Sequence, residues 1–277
     1  MGTSTSTSST GPSSGVSLDP PWLDDVVGGI GGGSAVPLND GNAPAPPAPP
    51  AGNAPTNRYG DARRALGKFA KTGDTQHLRN AVGHYSRRGS GGASAAASRM
   101  RASTSAGAAL FSFLNAVSQG ATAEARKWVD DLRAMNPSAE DVVDAIVREL
   151  APPGGSADEE SLRDAMDQAL SEVVREDPAV DPLSMGVNDI WELMKGYLAI
   201  EAGNRICFDL GPIFESSNLD PRTAVLREKE MRRFLKNEIG AHVDLLQGTA
   251  ANPSRSQLDS ILQEALKMTF ELFEADL

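Results

Sequence analysis

The residue best suited to chemistry is the second one, because removal of the initiator methionine leaves the α-amine of Gly2 at the end of the chain. A glycine side chain neither obstructs that trimming nor shields the amine from an incoming acyl group. The opening Met1-Gly2-Thr3-Ser4-Thr5-Ser6 also satisfies the N-myristoylation pattern, a short motif of low specificity. The sequence therefore predicts Gly2 as the acceptor of an amide-forming modification.

A short apolar island follows in the same polar segment and consists of Pro20, Pro21, Trp22 and Leu23. Trp22 is the only aromatic residue before Tyr59, and an indole gains much free energy when a partner buries it. The two prolines favour an extended backbone, which lowers the entropy lost on binding. We interpret the island as a docking peptide. The alternatives are a plain spacer and an indole that packs back on the chain's own helices.

A basic block at residues 58–101 holds ten Lys or Arg against two acidic residues, Asp61 and Asp74. The block carries a net charge of +8, whereas the whole chain carries −11. Such a cluster could neutralise phosphates without reading their sequence, or it could bind an acidic protein. It could equally pair with the acidic helices of residues 102–277. The residues that we assign to an anionic partner are Arg63, Arg64, Lys68, Lys71, Arg87 and Arg88.

Residues suited to catalysis or metal binding are scarce. His77 and His84 have no cysteine or carboxylate partners at ligand spacing, so we expect surface or stacking roles for them. Glu238 and His242 lie four residues apart, which favours an ion pair on one helix face. Cys207, the only cysteine, lies in an apolar stretch that predicts a core thiol. Because no nucleophile-elbow or phosphate-loop motif is present, we predict a non-enzymatic protein that requires no metal and no cofactor.

The elements that position these residues fall into two parts. Residues 1–56 are almost entirely Ser, Thr, Gly, Pro, Ala and Asn and contain no Lys or Arg, so they bury too little apolar surface to fold. We predict a disordered arm long enough for Gly2 to enter a partner's active site. Residues 57–277 show helical periodicity, and no segment alternates cleanly enough for a strand. The predicted fold class is therefore all-α, with a helical bundle-like body behind a Ser/Thr/Gly/Pro-rich arm.

Within the body we expect basic helices over residues 57–101 and acidic helices over residues 102–277. Gly73 ends the first helix, and Asp74 or Thr75 caps the second. The small residues that extend to Gly107 allow helix backbones to approach closely. Ser138 and Ser156 begin capping boxes. The side chains expected in the core of the later helices are Trp191, Met194, Leu198, Ile206, Leu258, Ile261, Leu262, Ala265, Leu266, Phe270 and Phe273.

Several classes of protein are excluded by what the chain lacks. A single cysteine cannot form a disulfide framework, and the N-terminus has neither the basic nor the apolar region of a secretory signal. No stretch of eighteen apolar residues could span a membrane. We therefore expect a cytoplasmic protein that does not bind a membrane.

Together these features resemble the QatB family of the four-gene Qat anti-phage defence systems. The matching features are the start Met1-Gly2-Thr3-Ser4, the Pro20-Pro21-Trp22 island with its low-complexity linker, and the Arg-rich start of the body. The small-residue segment from Gly89 to Met100 also matches, together with Gly107 and Leu110. The resemblance is clearest over the N-terminal 115 residues, and the helical remainder agrees in character.

The resemblance implies a non-enzymatic member of an operon that also encodes a P-loop ATPase, a QueC-like enzyme and a TatD-like nuclease. QueC-type enzymes make the nitrile of a 7-deazaguanine using ATP. The resemblance further implies that the QueC-like partner instead joins its deazaguanine acid to the amine of Gly2, which makes this chain a protein substrate or adaptor. The alternative is a nucleic-acid-binding or scaffold module that links the ATPase and the nuclease through residues 58–101.

Overall fold

The computed structural model describes residues 58–151, 156–248 and 253–277, and within these ranges it contains helices and no strand. The all-α prediction is thereby confirmed. The helices of the described ranges are α1 Gly60–Thr72, α2 Thr75–His84, a π-helical segment Tyr85–Ser90, α3 Ala93–Ser98, α4 Arg101–Gln119, α5 Ala123–Ala134, α6 Ala139–Leu150, α7 Ala157–Glu176, α8 Val187–Leu210, α9 Ile213–Ser216, α10 Pro221–Gln247 and α11 Arg255–Ala275.

The turn between α1 and α2 forms where the sequence predicts it. Gly73 adopts a left-handed conformation with φ 72°, and its N–H donates to the Phe69 carbonyl at 2.7 Å. The Asp74 side chain then caps α2 by accepting from the Gln76 N–H at 2.9 Å. Both boundaries therefore follow from local backbone chemistry.

Two glycines of the small-residue segment, Gly91 and Gly92, separate the π-helical segment from α3. Their φ angles are 93° and 104°, a conformation that glycine adopts without steric cost. Gly107 of α4 lies against Tyr197 of α8, and a Cβ atom there would come within 2.9 Å of Tyr197 Cε1. Gly107 therefore lies in a tightly packed part of the core, where neighbouring side chains take the space of its missing Cβ.

The later helices also begin at the expected caps. Ser138 and Ser156 form capping boxes with Asp141 and Glu159, as predicted. Asp220 caps α10, whose first residue is Pro221.

Two helices organise the core of the described residues. α8 packs against α4, α7 and α10, while α11 packs against α2, α3, α4 and α10. α8 is buried on nearly all sides between Ile190 and Gly203, including the charged residues Lys195 and Glu201. All the core side chains that the sequence predicts for α8 and α11 are buried.

Candidate functional site

The arm joins the body beside the C-terminal end of α8. Gly2 and the island Pro20–Leu23 lie outside the described residues, so their roles stay predictions. Tyr59, at the start of the described chain, is buried, and its hydroxyl lies 3.4 Å from Asp209 Oδ2. Its ring stacks on Tyr85 with the centroids 5.6 Å apart. The described part of the chain therefore begins next to Asp209.

Asp209 is a hub for groups from distant parts of the chain. Its carboxylate accepts from the Tyr85 hydroxyl at 2.9 Å and from Arg99 Nη2 at 2.9 and 3.1 Å. Arg205 Nε lies 3.5 Å from the same carboxylate, whose side chain is only 8% exposed. Burial raises the pKa of the Tyr85 hydroxyl well above its ordinary value, and the charge of Asp209 adds to that effect.

Arg63, one of the basic residues assigned to an anionic partner, contacts this region, and its assignment stays a prediction. Its Nε donates to the Leu210 carbonyl at 2.8 Å and so satisfies a backbone acceptor at the end of α8. A cation at a helix C-terminus also interacts favourably with the helix dipole. Arg63 thus holds α1 against α8.

A pocket of about 420 Å³ adjoins the Asp209 hub, with Arg99 and Arg205 in its wall. Glu201 is its most buried acidic residue at 5% exposure. The Glu201 carboxylate accepts from Ser103 Oγ at 2.7 Å and from Ser161 Oγ at 3.4 Å. The residues that line the pocket come from the junction between α3 and α4, from the start of α4, from α7 and from the last turns of α8: Arg99, Ala102, Ser103, Asp158, Ser161, Leu162, Asp164, Gln168, Glu201, Asn204, Arg205, Cys207 and Phe208.

The chemistry of the pocket is polar and acidic with an apolar rim. Burial raises the pKa of Glu201, and the Ser103 hydrogen bond opposes that rise. Arg205 Nη1 lies 3.6 Å from Asp158 Oδ1, so this arginine is shared between two carboxylates. Phe208 is 75% exposed at the rim, an unusual exposure for so large an apolar side chain.

Sequence reasoning did not single out Glu201, Arg205 or Asp209. A signal was nevertheless present, because Glu201 and Arg205 interrupt the longest apolar stretch of the chain. A charge in a helix that is buried on nearly all sides must find a partner or a pocket. Arg205 lies four residues from Asp209, but Tyr85 and Arg99 lie more than one hundred residues away along the chain, so no local spacing could reveal these two partners.

The six basic residues assigned to an anionic partner have two fates. Arg64 and Arg88 are engaged within the body, as Arg63 is, because both Arg64 and Arg88 pair with Asp61. The hydrogen bonds from Arg88 and Arg64 lower the pKa of that carboxyl. The other three, which form no ion pair or side-chain hydrogen bond within the described chain, are exposed: Lys68, Lys71 and Arg87.

The remaining candidates for chemistry are occupied structurally. Glu238 and His242 do not form the expected pair, because Glu238 accepts from Arg79 at 2.6 Å and His242 Nδ1 lies 3.0 Å from Thr269 Oγ1. Tertiary contacts override the local spacing here. Cys207 packs against the core but is only half-buried, and burial raises the pKa of its thiol to about 11. The described residues contain no cluster of three potential metal ligands.

Across the described ranges, none of the helices combines the length and the apolar character required to cross a bilayer.

Comparison with known proteins identifies the family. The family model of the Qat anti-phage system associated protein QatB matches residues 91–273, about two thirds of the chain. The match includes every residue of the pocket, so the family assignment rests on the helical body, whereas the sequence features that suggested it lie mainly before residue 115. Neither the comparison with curated proteins nor that with solved structures gives a match. The chain therefore belongs to the QatB family, and it is a component of a Qat anti-phage defence system.

Proposed function

We propose that this chain is a non-enzymatic protein substrate or adaptor whose Gly2 is modified with a 7-deazaguanine group by the QueC-like enzyme of the same system. The observation that carries the proposal is the composition of the arm. Residues 1–57 contain no lysine, so the α-amine is the only primary amine that the arm can offer. In the reaction, the ATP-activated carboxyl carbon of the deazaguanine forms an amide with this amine and loses its activating group.

The membership of a Qat system supports partners from the same operon in general. The proposal names the QueC-like enzyme as the direct partner and assigns later contacts to the ATPase and the TatD-like nuclease. It places the protein in the cytoplasm, where ATP is available. The helical body then acts as the part that the partners recognise once the arm is modified.

Intact-mass analysis of the chain after co-expression with the QueC-like enzyme tests the modification. We expect a mass increase equal to one deazaguanine acyl group, located on Gly2 by peptide mapping. Gly2→Pro leaves only a hindered secondary amine and should abolish the increase, while Gly2→Ser retains a primary amine and serves as the matched control. An unmodified wild-type terminus with ATP in excess would overturn the proposal.

The island around Trp22 is proposed to dock the arm on the QueC-like enzyme. Burial of an indole at an interface contributes on the order of 2–4 kcal/mol. Trp22→Ala should therefore weaken the binding of a peptide of residues 1–30 to that enzyme by about thirtyfold or more. A titration that gives equal affinities for the wild-type and Trp22→Ala peptides rules out docking and leaves the island as a spacer.

A second function is favoured by the exposed cations Lys68, Lys71 and Arg87, which form no ion pair within the described residues. They are available to phosphates and could make the body a nucleic-acid-binding scaffold between the ATPase and the nuclease. The triple change to Glu should reduce the affinity for DNA and flatten its salt dependence, by about 0.7–0.9 of slope for each phosphate that is no longer neutralised. Lys229→Glu, at an exposed lysine of α10, is the control. Absence of binding at low salt eliminates this function.

A further inference from the structure

We propose that the pocket beside Asp209 binds the N-terminus of the chain's own arm, with the α-amine of Gly2 facing Glu201. The pocket would thus hold residues 2–4 before any partner does. Its position supports this occupant, because the arm begins at the same place. Tyr59, the second described residue, contacts Asp209, and Asp209 binds both arginines of the pocket wall. The 57 residues that precede Arg58 can reach roughly 3.3–3.6 Å each when extended, so the length of the arm does not limit its return.

The charges of the pocket select for a cation. Asp158, Asp164 and Glu201 line it together with Arg99 and Arg205, and Asp209 neutralises the arginines from one side. An inorganic or nucleotide phosphate would face an excess of carboxylates. Residues 1–57 contain no Lys or Arg, and the arm has no acidic residue before Asp19. The α-amine is therefore the only charge in the first eighteen residues, and its sign is the one that the pocket favours.

The size of the pocket also suits this occupant. Its volume of about 420 Å³ lies at the lower end of the range for ligand pockets. Gly2, Thr3 and Ser4 have small side chains, and their hydroxyl groups match the polar wall formed by Ser161, Gln168 and Asn204.

Occupancy of the pocket would regulate the modification, a consequence that rests on the proposed function. An amine bound to a carboxylate is held protonated and is not a nucleophile, so the body and the QueC-like enzyme compete for the same terminus. Acylation removes the positive charge and with it the attraction to Glu201. The modified arm is then released from the body.

Disulfide trapping in the full-length protein tests the position of the terminus without any partner enzyme. Cys207 lines the pocket and is the only cysteine, so Thr3→Cys creates a chain with two thiols. Ser17→Cys is the matched control, and its shorter tether gives it the entropic advantage in random encounters. We expect a higher intramolecular disulfide yield from Thr3→Cys under mild oxidation, measured by intact mass and peptide mapping. An equal or higher yield from Ser17→Cys overturns the proposal.

The contribution of Glu201 is tested by labelling of the α-amine with a small acylating reagent at neutral pH. A terminus that occupies the pocket nine-tenths of the time should react about tenfold more slowly than a free peptide of residues 2–18. Glu201→Gln should restore the peptide rate, whereas Glu192→Gln, at an exposed carboxylate of the same helix, should not. A wild-type rate equal to that of the peptide refutes the proposal. Because no QueC-like enzyme is present, this outcome is independent of whether Gly2 is modified.

Discussion

Asp209 shows how one carboxylate can fix the start of the body. It binds groups from the first described turn, from the π-helical segment, from the junction between α3 and α4 and from its own helix. Because its side chain is only 8% exposed, these contacts are poorly replaced by water. The same contacts hold the arm's attachment point against the pocket, so the stability of this region and the proposed site depend on one residue.

Replacement of Asp209 by Asn should therefore destabilise the protein measurably. Hydrogen bonds to charged groups contribute about 1.5–3 kcal/mol, so we expect a loss near 2 kcal/mol. For a chain of this size that corresponds to a decrease of roughly 4–8 °C in melting temperature. Asp276→Asn, which affects an exposed pair with Arg79, should change it far less. Equal effects of the two changes would contradict the central role of Asp209.

Glu201 gives the stability a specific pH dependence. Because burial raises its pKa above the ordinary value of 4.5, the folded protein binds this proton more tightly than the unfolded chain. The free energy of unfolding therefore decreases as the pH rises from about 4.5 towards the folded-state pKa. Glu201→Gln removes this titration and should flatten the decrease. Thermal unfolding across this range measures both slopes, and identical slopes would exclude the effect.

At the scale of elements, two glycine substitutions distinguish a tightly packed helix contact from an open one. A Cβ at Gly107 would lie 2.9 Å from Tyr197 and 3.1 Å from Leu262, so Gly107→Ala forces apart α4, α8 and α11. We expect a loss of about 1–3 kcal/mol from overpacking, reduced by the gain in helix propensity. Gly67→Ala in α1 is the control, because its Cβ would meet only Ile213 at 4.0 Å. That change should stabilise by about 0.5–1 kcal/mol. Chemical unfolding of both variants measures the change in the free energy of unfolding, which should decrease for Gly107→Ala and increase for Gly67→Ala.

The elements also show which parts of the structure the sequence can predict. Caps at Asp74, Ser138 and Ser156 act over two or three residues, so local spacing was sufficient to find them. The buried face of each helix follows in the same way from the spacing of apolar residues at the helical period of 3.6 residues. The partner of Glu238 could not be found, because the distant Arg79 displaces the local histidine. The sequence did not predict the pocket for a similar reason. Its wall combines three helices, and the spacing of residues along the chain does not indicate how these helices pack together.

At the scale of the whole molecule, the family match covers fewer residues than the packed helical body does. The match begins at residue 91, whereas α1 and α2 lie before it. These two helices nevertheless bury Leu66, Phe69, Leu78 and Val82 almost completely in the core cluster. Arg79 also joins α2 to the last two long helices, through Glu238 and Asp276. The helices before the matched region therefore belong structurally to the same body.

A chain that begins at Gly91 should consequently fail to fold stably, although it contains the whole matched region. Its loss of α1, α2 and the π-helical segment exposes partners such as Phe214 and Phe270, which contact Phe69 and Tyr85 in the intact protein. Each fully buried apolar side chain contributes about 1.5–3 kcal/mol, and the total for these helices exceeds the stability of a typical domain. A chain that begins at Arg58 keeps all of these contacts and should still unfold cooperatively, at a melting temperature lower only by the few degrees that loss of the bound arm implies. Thermal unfolding and size-exclusion chromatography compare the two, and a cooperative, monomeric chain from Gly91 would show that the first helices are dispensable for folding.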